Sequence, residues 1–164
     1  MDEFIRTYCE GLPSLKVAAL HLIQNAARDV LLMTPDLEPT RLDDEDITLA
    51  LSVFARSSRH TRCYILITGD QPMKSISHAM IRTQRRLSSI MEIRQLEPEQ
   101  ATHERLMLVD HQHRLSVDLQ GQHWSGWMGI HDIPKAKQDS ERFLSLWRSE
   151  ERRVGKECLR LCRS

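Results

Sequence analysis

The chain has 164 residues, with 23 Lys/Arg balanced by 23 Asp/Glu, 8 His and only 4 Cys. That length favours one domain with a real core; once the C-terminal tail is set aside, as below, the slightly acidic body argues against a dedicated non-specific DNA binder and its two cysteines are too few for a disulfide framework. No apolar run approaches about 18 residues, and MDEFIRTYCEG has no basic stretch followed by an apolar core, so no membrane span and no secretion signal are expected and a cytoplasmic location is.

In chain order, Ser14 can cap a helix through Ala27 that carries Leu15, Ala18, Ala19, Leu22, Ile23 and Ala26 on one face. VLLMT (30–34) follows as a short apolar strand stopped by Pro35. DDEDITLALSVFARSS (43–58) reads as a second helix whose acidic first turn suits the positive helix end. TRCYILITG (61–69) is a β-branched and aromatic strand ended by Gly69. SISHAMIRTQRRLSS (75–89) predicts a third helix, with Ile76, Ala79, Met80 and Leu87 inward and Arg82, Arg85 and Arg86 outward. IMEIRQL (90–96) is a further strand. HERLMLVD (103–110) and RLSVDL (114–119) form a hairpin with HQH at its turn, QGQHWSGWMGIHDIP (120–134) is a loop, and a last helix runs from about Pro134 to Trp147.

The tail is set apart. Residues 148–158, RSEERRVGKEC, are what translation of a common sequencing-library adapter gives, so 148–164 are treated as an artefactual scar. The expectation is a single domain over 1–147 whose native continuation after Trp147 is lost. Setting aside the tail's six Lys/Arg and three Asp/Glu leaves 17 basic and 20 acidic residues, and leaves Cys9 and Cys63 as the body's cysteines. Helix-then-strand units followed by a hairpin predict an α/β domain with a mixed sheet and helices on its faces.

HERLMLVD carries the chemistry. In an extended strand His103 and Arg105 share a face, roughly 7 Å apart, while Asp110 has opposite parity. An imidazole beside a fixed cation suits attack on phosphate: the ring acts as nucleophile or proton carrier, and the planar guanidinium holds phosphoryl oxygens through parallel hydrogen bonds.

The spacing His-x-Arg-x4-Asp resembles the H-x-K-x4-D signature of the phospholipase D superfamily. The order of VLLMT, RCYILITG, the arginine-bearing helix and SSIMEIRQL ahead of it, and FLSLW after it, extends the resemblance over about 21–147, towards the small single-motif bacterial offshoots of that superfamily. The resemblance implies a three-layer α/β/α domain and metal-independent phosphodiester cleavage through a phosphohistidine. It places His103 as nucleophile or general acid, Arg105 as phosphate clamp and Asp110 as a supporting residue. With one motif per chain, an active version needs a two-fold dimer that brings two His103 side chains together.

Two departures point to a catalytically degenerate relative. Arg105 keeps the charge of the family lysine but not its shape, and SVDLQGQHWSGW lacks the family's G-S-x-N segment. The expected role is retained phosphate binding or protein interaction; the alternatives are an active homodimeric phosphodiesterase and a nucleic-acid-binding module built on Arg82, Arg85 and Arg86. An Arg105 paired with Glu104 or Asp110 and closed to solvent would mark the degenerate case; facing His103 side chains in a dimer would mark the active one. His111, His113, His123 and His131 invite a metal reading, but no cysteine or well-spaced acid completes a set, so neither metal nor cofactor is expected. Trp124 and Trp127 flank Gly126, where core packing is the simpler role.

Overall fold

The computed structural model describes residues 3–69, 78–100 and 102–161. Seven strands form one mixed sheet in the order β1-β7-β6-β5-β2-β3-β4. The parallel half is β2 (Asp29–Thr34), β3 (Arg62–Ile67) and β4 (Met91–Gln95). Two helices cross over between these strands: α3 (Glu45–Arg56), preceded by the single turn α2 (Pro39–Leu42), and α4 (Ala79–Arg86). The antiparallel half is β5 (Arg105–Val109), β6 (His113–Gln120), β7 (His123–Ile130) and the edge strand β1 (Ile5–Glu10). Every residue of β2 is buried, as a central strand covered on both faces requires.

Two layers of helix complete the domain. α1 (Gly11–Gln24) packs Leu15, Ala19, Leu22 and Ile23 with Ile47, Leu51 and Phe54 of α3 and Met80 of α4 over one sheet face. The opposite face carries α5 (Ile133–Leu161), whose Ala136, Phe143 and Trp147 meet Leu31, Met33, Leu66, Leu106 and Leu108. Trp147 stacks on Tyr64 at 4.4 Å and lies under the Arg94 guanidinium at 4.1 Å. Asp44 caps α3 by accepting from the N–H groups of Asp46 and Ile47, and Lys16 of α1 pairs with it at 3.0 Å. No described helix is long and apolar enough to cross a membrane.

Three local expectations need correction, and one strand, β1, has no counterpart among them. QGQHWSGWMGIHDIP is not a loop: its centre is β7, where a Cβ on Gly126 would lie 2.3 Å from the Ser116 carbonyl and 2.9 Å from Leu15, so glycine is what lets α1 and β6 close on this strand. IRTYCE pairs with β7 as β1, its Cys9 turned into the core. α1 begins at Gly11 rather than after Ser14, because Gly11 at φ +81° turns the chain directly from strand to helix, and Pro13 sits in the first turn where its missing N–H costs nothing. α5 continues past Trp147 through a run of Glu, Arg and Lys that favours helix. Residues 75–77 of the expected third helix, and 162–164 of the tail, lie outside the described residues.

Candidate functional site

The carboxyl ends of β2, β3 and β4 and the amino end of antiparallel β5 share one sheet edge, the edge at which open α/β sheets bind ligands. Alternation fixes what faces where. Met107 and Val109 enter the core under α1 and α3, so Arg105 leads into that layer, and Thr34 joins it by parity with Val30 and Leu32.

Directly after β2, Leu37 (φ +59°) and Glu38 (φ +34°) stand in the left-handed region, at a cost of roughly 1–3 kcal/mol each. Asp36 Oδ1 accepts from Glu38 N at 2.9 Å and holds this turn. The turn drives both Leu37 and Glu38 inward, each 2% exposed. The Glu38 carboxylate is gripped by Arg41 through Nε at 3.0 Å and Nη2 at 3.2 Å. Arg105 brings a second guanidinium, its Nε 3.3 Å from Glu38 Oε1. That contact is an ion pair by distance only. The N–H is not aligned on the carboxylate, and Arg105 Nε is a buried donor without a hydrogen-bond partner among the described residues. Thr34 Oγ1, on the neighbouring strand end, is a second such buried atom. Two cations around one anion leave the cluster net positive, and the Arg105 guanidinium also lies 5.5 Å from the Trp124 ring.

His103, two residues before Arg105, is exposed, and among the described residues its ring makes no hydrogen bond; Arg105 Nη1 donates to its backbone carbonyl at 3.4 Å. Glu104 turns the other way. Its carboxylate takes both Arg142 nitrogens of α5, Nη2 at 2.8 Å, and this pairing raises the Arg142 pKa. Asp110 is elsewhere: at φ +54° beyond the far end of β5, it accepts from the backbone N–H groups of Ala27, Arg28 and Asp29 at 2.9, 2.7 and 2.9 Å. Five residue steps of nearly extended chain put it roughly 16 Å from Arg105. Thus, among the described residues, Arg105 meets His103 at its backbone carbonyl, whereas Asp110 clasps the turn between α1 and β2. Arg105 pairs with neither Glu104 nor Asp110 but with Glu38.

The remaining candidates are scattered. Arg82, Arg85 and Arg86 lie exposed on α4. His111 pairs with Asp29 at 3.0 Å and His123 with Glu10 at 2.8 Å, while the His113 and His131 rings meet edge to face at 4.7 Å. Among the described residues no three His, Cys, Asp or Glu side chains are grouped to hold a metal ion. Trp124 and Trp127 occupy opposite faces of β7, Trp124 partly buried in the core and Trp127 exposed beside Tyr8. Sequence reasoning missed Glu38, Arg41 and Thr34. The signal available was the acid–base pair at i, i+3 in PDLEPTR, a proline-flanked segment leaving a fully buried strand.

The sequence pattern of a family described as "Domain of unknown function (DUF7931)" matches residues 12–155. A search of the curated proteins found no match. Among solved structures, the phospholipase D family member Nuc from Salmonella typhimurium superposes with a TM-score of 0.70 at 18% identity, covering 89% of this chain and 95% of that one. NucT from Helicobacter pylori gives 0.66 at 11% identity over 90% and 98%. TrmBL2, an archaeal chromatin protein, gives 0.64 at 13% identity, covering 88% of this chain and 52% of that one. The fold is therefore the phospholipase D-like α/β/α fold, as the motif and element order lead one to expect.

Proposed function

The chain belongs to the family described as "Domain of unknown function (DUF7931)", and we propose that it is a phospholipase D-like domain that holds a phosphate-bearing ligand at the His103–Arg105 edge without cleaving it. One observation carries the reading: two buried groups without a hydrogen-bond partner among the described residues, Arg105 Nε and Thr34 Oγ1, stand on adjacent strand ends beside a cluster of net positive charge. A tetrahedral oxyanion takes up both donors and the excess charge at once. The functional body in this reading is 1–147, with 148–164 outside it.

Turnover asks for more. A nucleophilic or proton-carrying imidazole works when its second ring nitrogen is held, so that tautomer and direction are set. His103 has no such partner among the described residues, Asp110 is committed to the α1–β2 turn, and Arg105 shares its charge with Glu38. These points favour binding over catalysis.

The test pairs two measurements on the full chain. Calorimetric titration with dimethyl phosphate is expected to show weak binding that Arg105→Gln abolishes, and bis-p-nitrophenyl phosphate is expected to turn over no faster with the native chain than with His103→Ala. Hydrolysis lost in His103→Ala, from a species sedimenting as a dimer, would replace this reading with an active homodimeric phosphodiesterase. Binding unaffected by Arg105→Gln would remove the site.

A further inference from the structure

A second basic site lies on the helical face, away from the His103 edge. α3 and α4 start side by side, where Asp43 Oδ1 accepts from Ala79 N at 2.9 Å, and both cross over between parallel strands. Between them runs an open groove of about 690 Å³ lined by Arg56 of α3 and by Arg82, Arg85 and Arg86 of α4, with Glu45 at its amino-terminal end. All four arginines are exposed, and none makes an ion pair or hydrogen bond among the described residues. The body carries more acid than base, so four uncommitted guanidinium groups in one groove are a local concentration against the overall sign. Part of their placement is structural, since arginine at a helix carboxyl end suits the dipole. That accounts for Arg56, Arg85 and Arg86 on their own helices, but not for the convergence of two helices' arginines, Arg82 included, on one shared concavity.

We infer that this groove binds the phosphate backbone of double-stranded nucleic acid without reading its sequence. The lining residues determine the class of ligand. Guanidinium groups present forked donors to phosphate oxygens, and among the described residues that line the groove none is aromatic, so unstacked bases find no ring to lie on there. Its concave shape admits a ridge such as a sugar–phosphate strand, whereas a flat lipid surface would touch only its rims. The eight residues of α4 span about 12 Å, long enough to follow a short run of phosphates along one strand. This inference is independent of the reading given to His103 and Arg105.

The test is fluorescence anisotropy of a labelled 20-base-pair duplex with the full chain, between 50 and 200 mM salt, beside Arg82→Gln/Arg85→Gln/Arg86→Gln. Removing three phosphate contacts makes the slope of log K against log salt shallower by about 2.7, so the native chain loses about 40-fold more affinity than the variant over that range. Because the comparison is a difference, the arginines of the 148–164 tail cancel from it. Arg56→Gln, on the other helix, reduces the slope by about 0.9 and serves if the triple variant does not fold. Two unrelated duplex sequences are expected to bind equally. An unchanged slope in both variants, no duplex binding at 50 mM salt, or binding to phosphatidylglycerol vesicles in place of duplex would overturn the inference.

Discussion

Replacing Glu38 by Gln tests whether the site is built on a buried charge cluster. The substitution keeps the side-chain volume and the left-handed turn, so cavity and backbone contributions cancel and the change is electrostatic. It leaves Arg41, with its side chain 3% exposed, and Arg105, 14% exposed, facing each other with no anion between them. Removing one member of a buried ion pair typically costs about 3–5 kcal/mol. For a chain of this size that corresponds to a fall in Tm of roughly 6–20 °C. Arg105→Met is predicted to behave differently. Arg105 Nε makes no directed hydrogen bond to Glu38, and its removal leaves the neutral, bidentate Glu38–Arg41 pair intact, so the cost should stay below about 1 kcal/mol. Urea unfolding followed by far-UV circular dichroism reads both variants, with equal m-values required for the comparison. Losses of similar size in Glu38→Gln and Arg105→Met, or a loss under about 1 kcal/mol in Glu38→Gln, would show that water reaches the cluster and that Arg105 is not held in reserve for a ligand.

Three further outcomes follow from other parts of the structure. Asp110→Ala removes a partly exposed carboxylate that accepts three backbone N–H groups and should cost roughly 2–3 kcal/mol in urea unfolding, while dimethyl phosphate affinity at Arg105 stays unchanged. Gly126→Ala forces a methyl group against the Ser116 carbonyl and Leu15; a loss of roughly 3 kcal/mol is expected by thermal melting, and a native-like Tm would mean that α1 and β7 are not in close contact. Burial pushes the Cys63 thiol up to about 12 from 9.0, so Ellman's reagent at pH 8 should leave it unmodified until the chain is unfolded. Above pH 9 the unfolded chain has lost the proton that the folded chain keeps, so Cys63 makes stability decline between about pH 9 and 12; a flat stability profile there would contradict its burial.

The sequence is legible where a period repeats for long enough. Leu15 to Ile23 and Ile47 to Phe54 announce their helices, and VLLMT and RCYILI their buried strands, because burial on one or both faces dictates the pattern. β7 is hidden by Gly126 and Gly129, which lower strand propensity, yet both lie where a neighbour approaches closely. Arg105 can be assigned a face from spacing because β5 is extended from that residue on, whereas His103 precedes the strand. Glu38 and Arg41 cannot be placed from spacing, since they reach Arg105 only through two consecutive left-handed residues and a pairing of strands some 70 residues apart in the chain. Asp110 fits the motif's spacing, but spacing along a strand does not say which end of the sheet a residue serves.

The pairing of Ile5 with Ile130 also sets an order of events during synthesis. β2, β3 and β4 are complete by residue 95 and can associate through local crossovers, whereas β1, the first strand made, has its hydrogen-bonding partner only when β7 follows some 120 residues later. At 5–20 residues per second that is roughly 6–24 s during which IRTYCE has no ladder to join. The nascent chain therefore carries an open strand with Ile5 and Tyr8 until β7 emerges, and the sheet's last pairing joins its N-terminal strand.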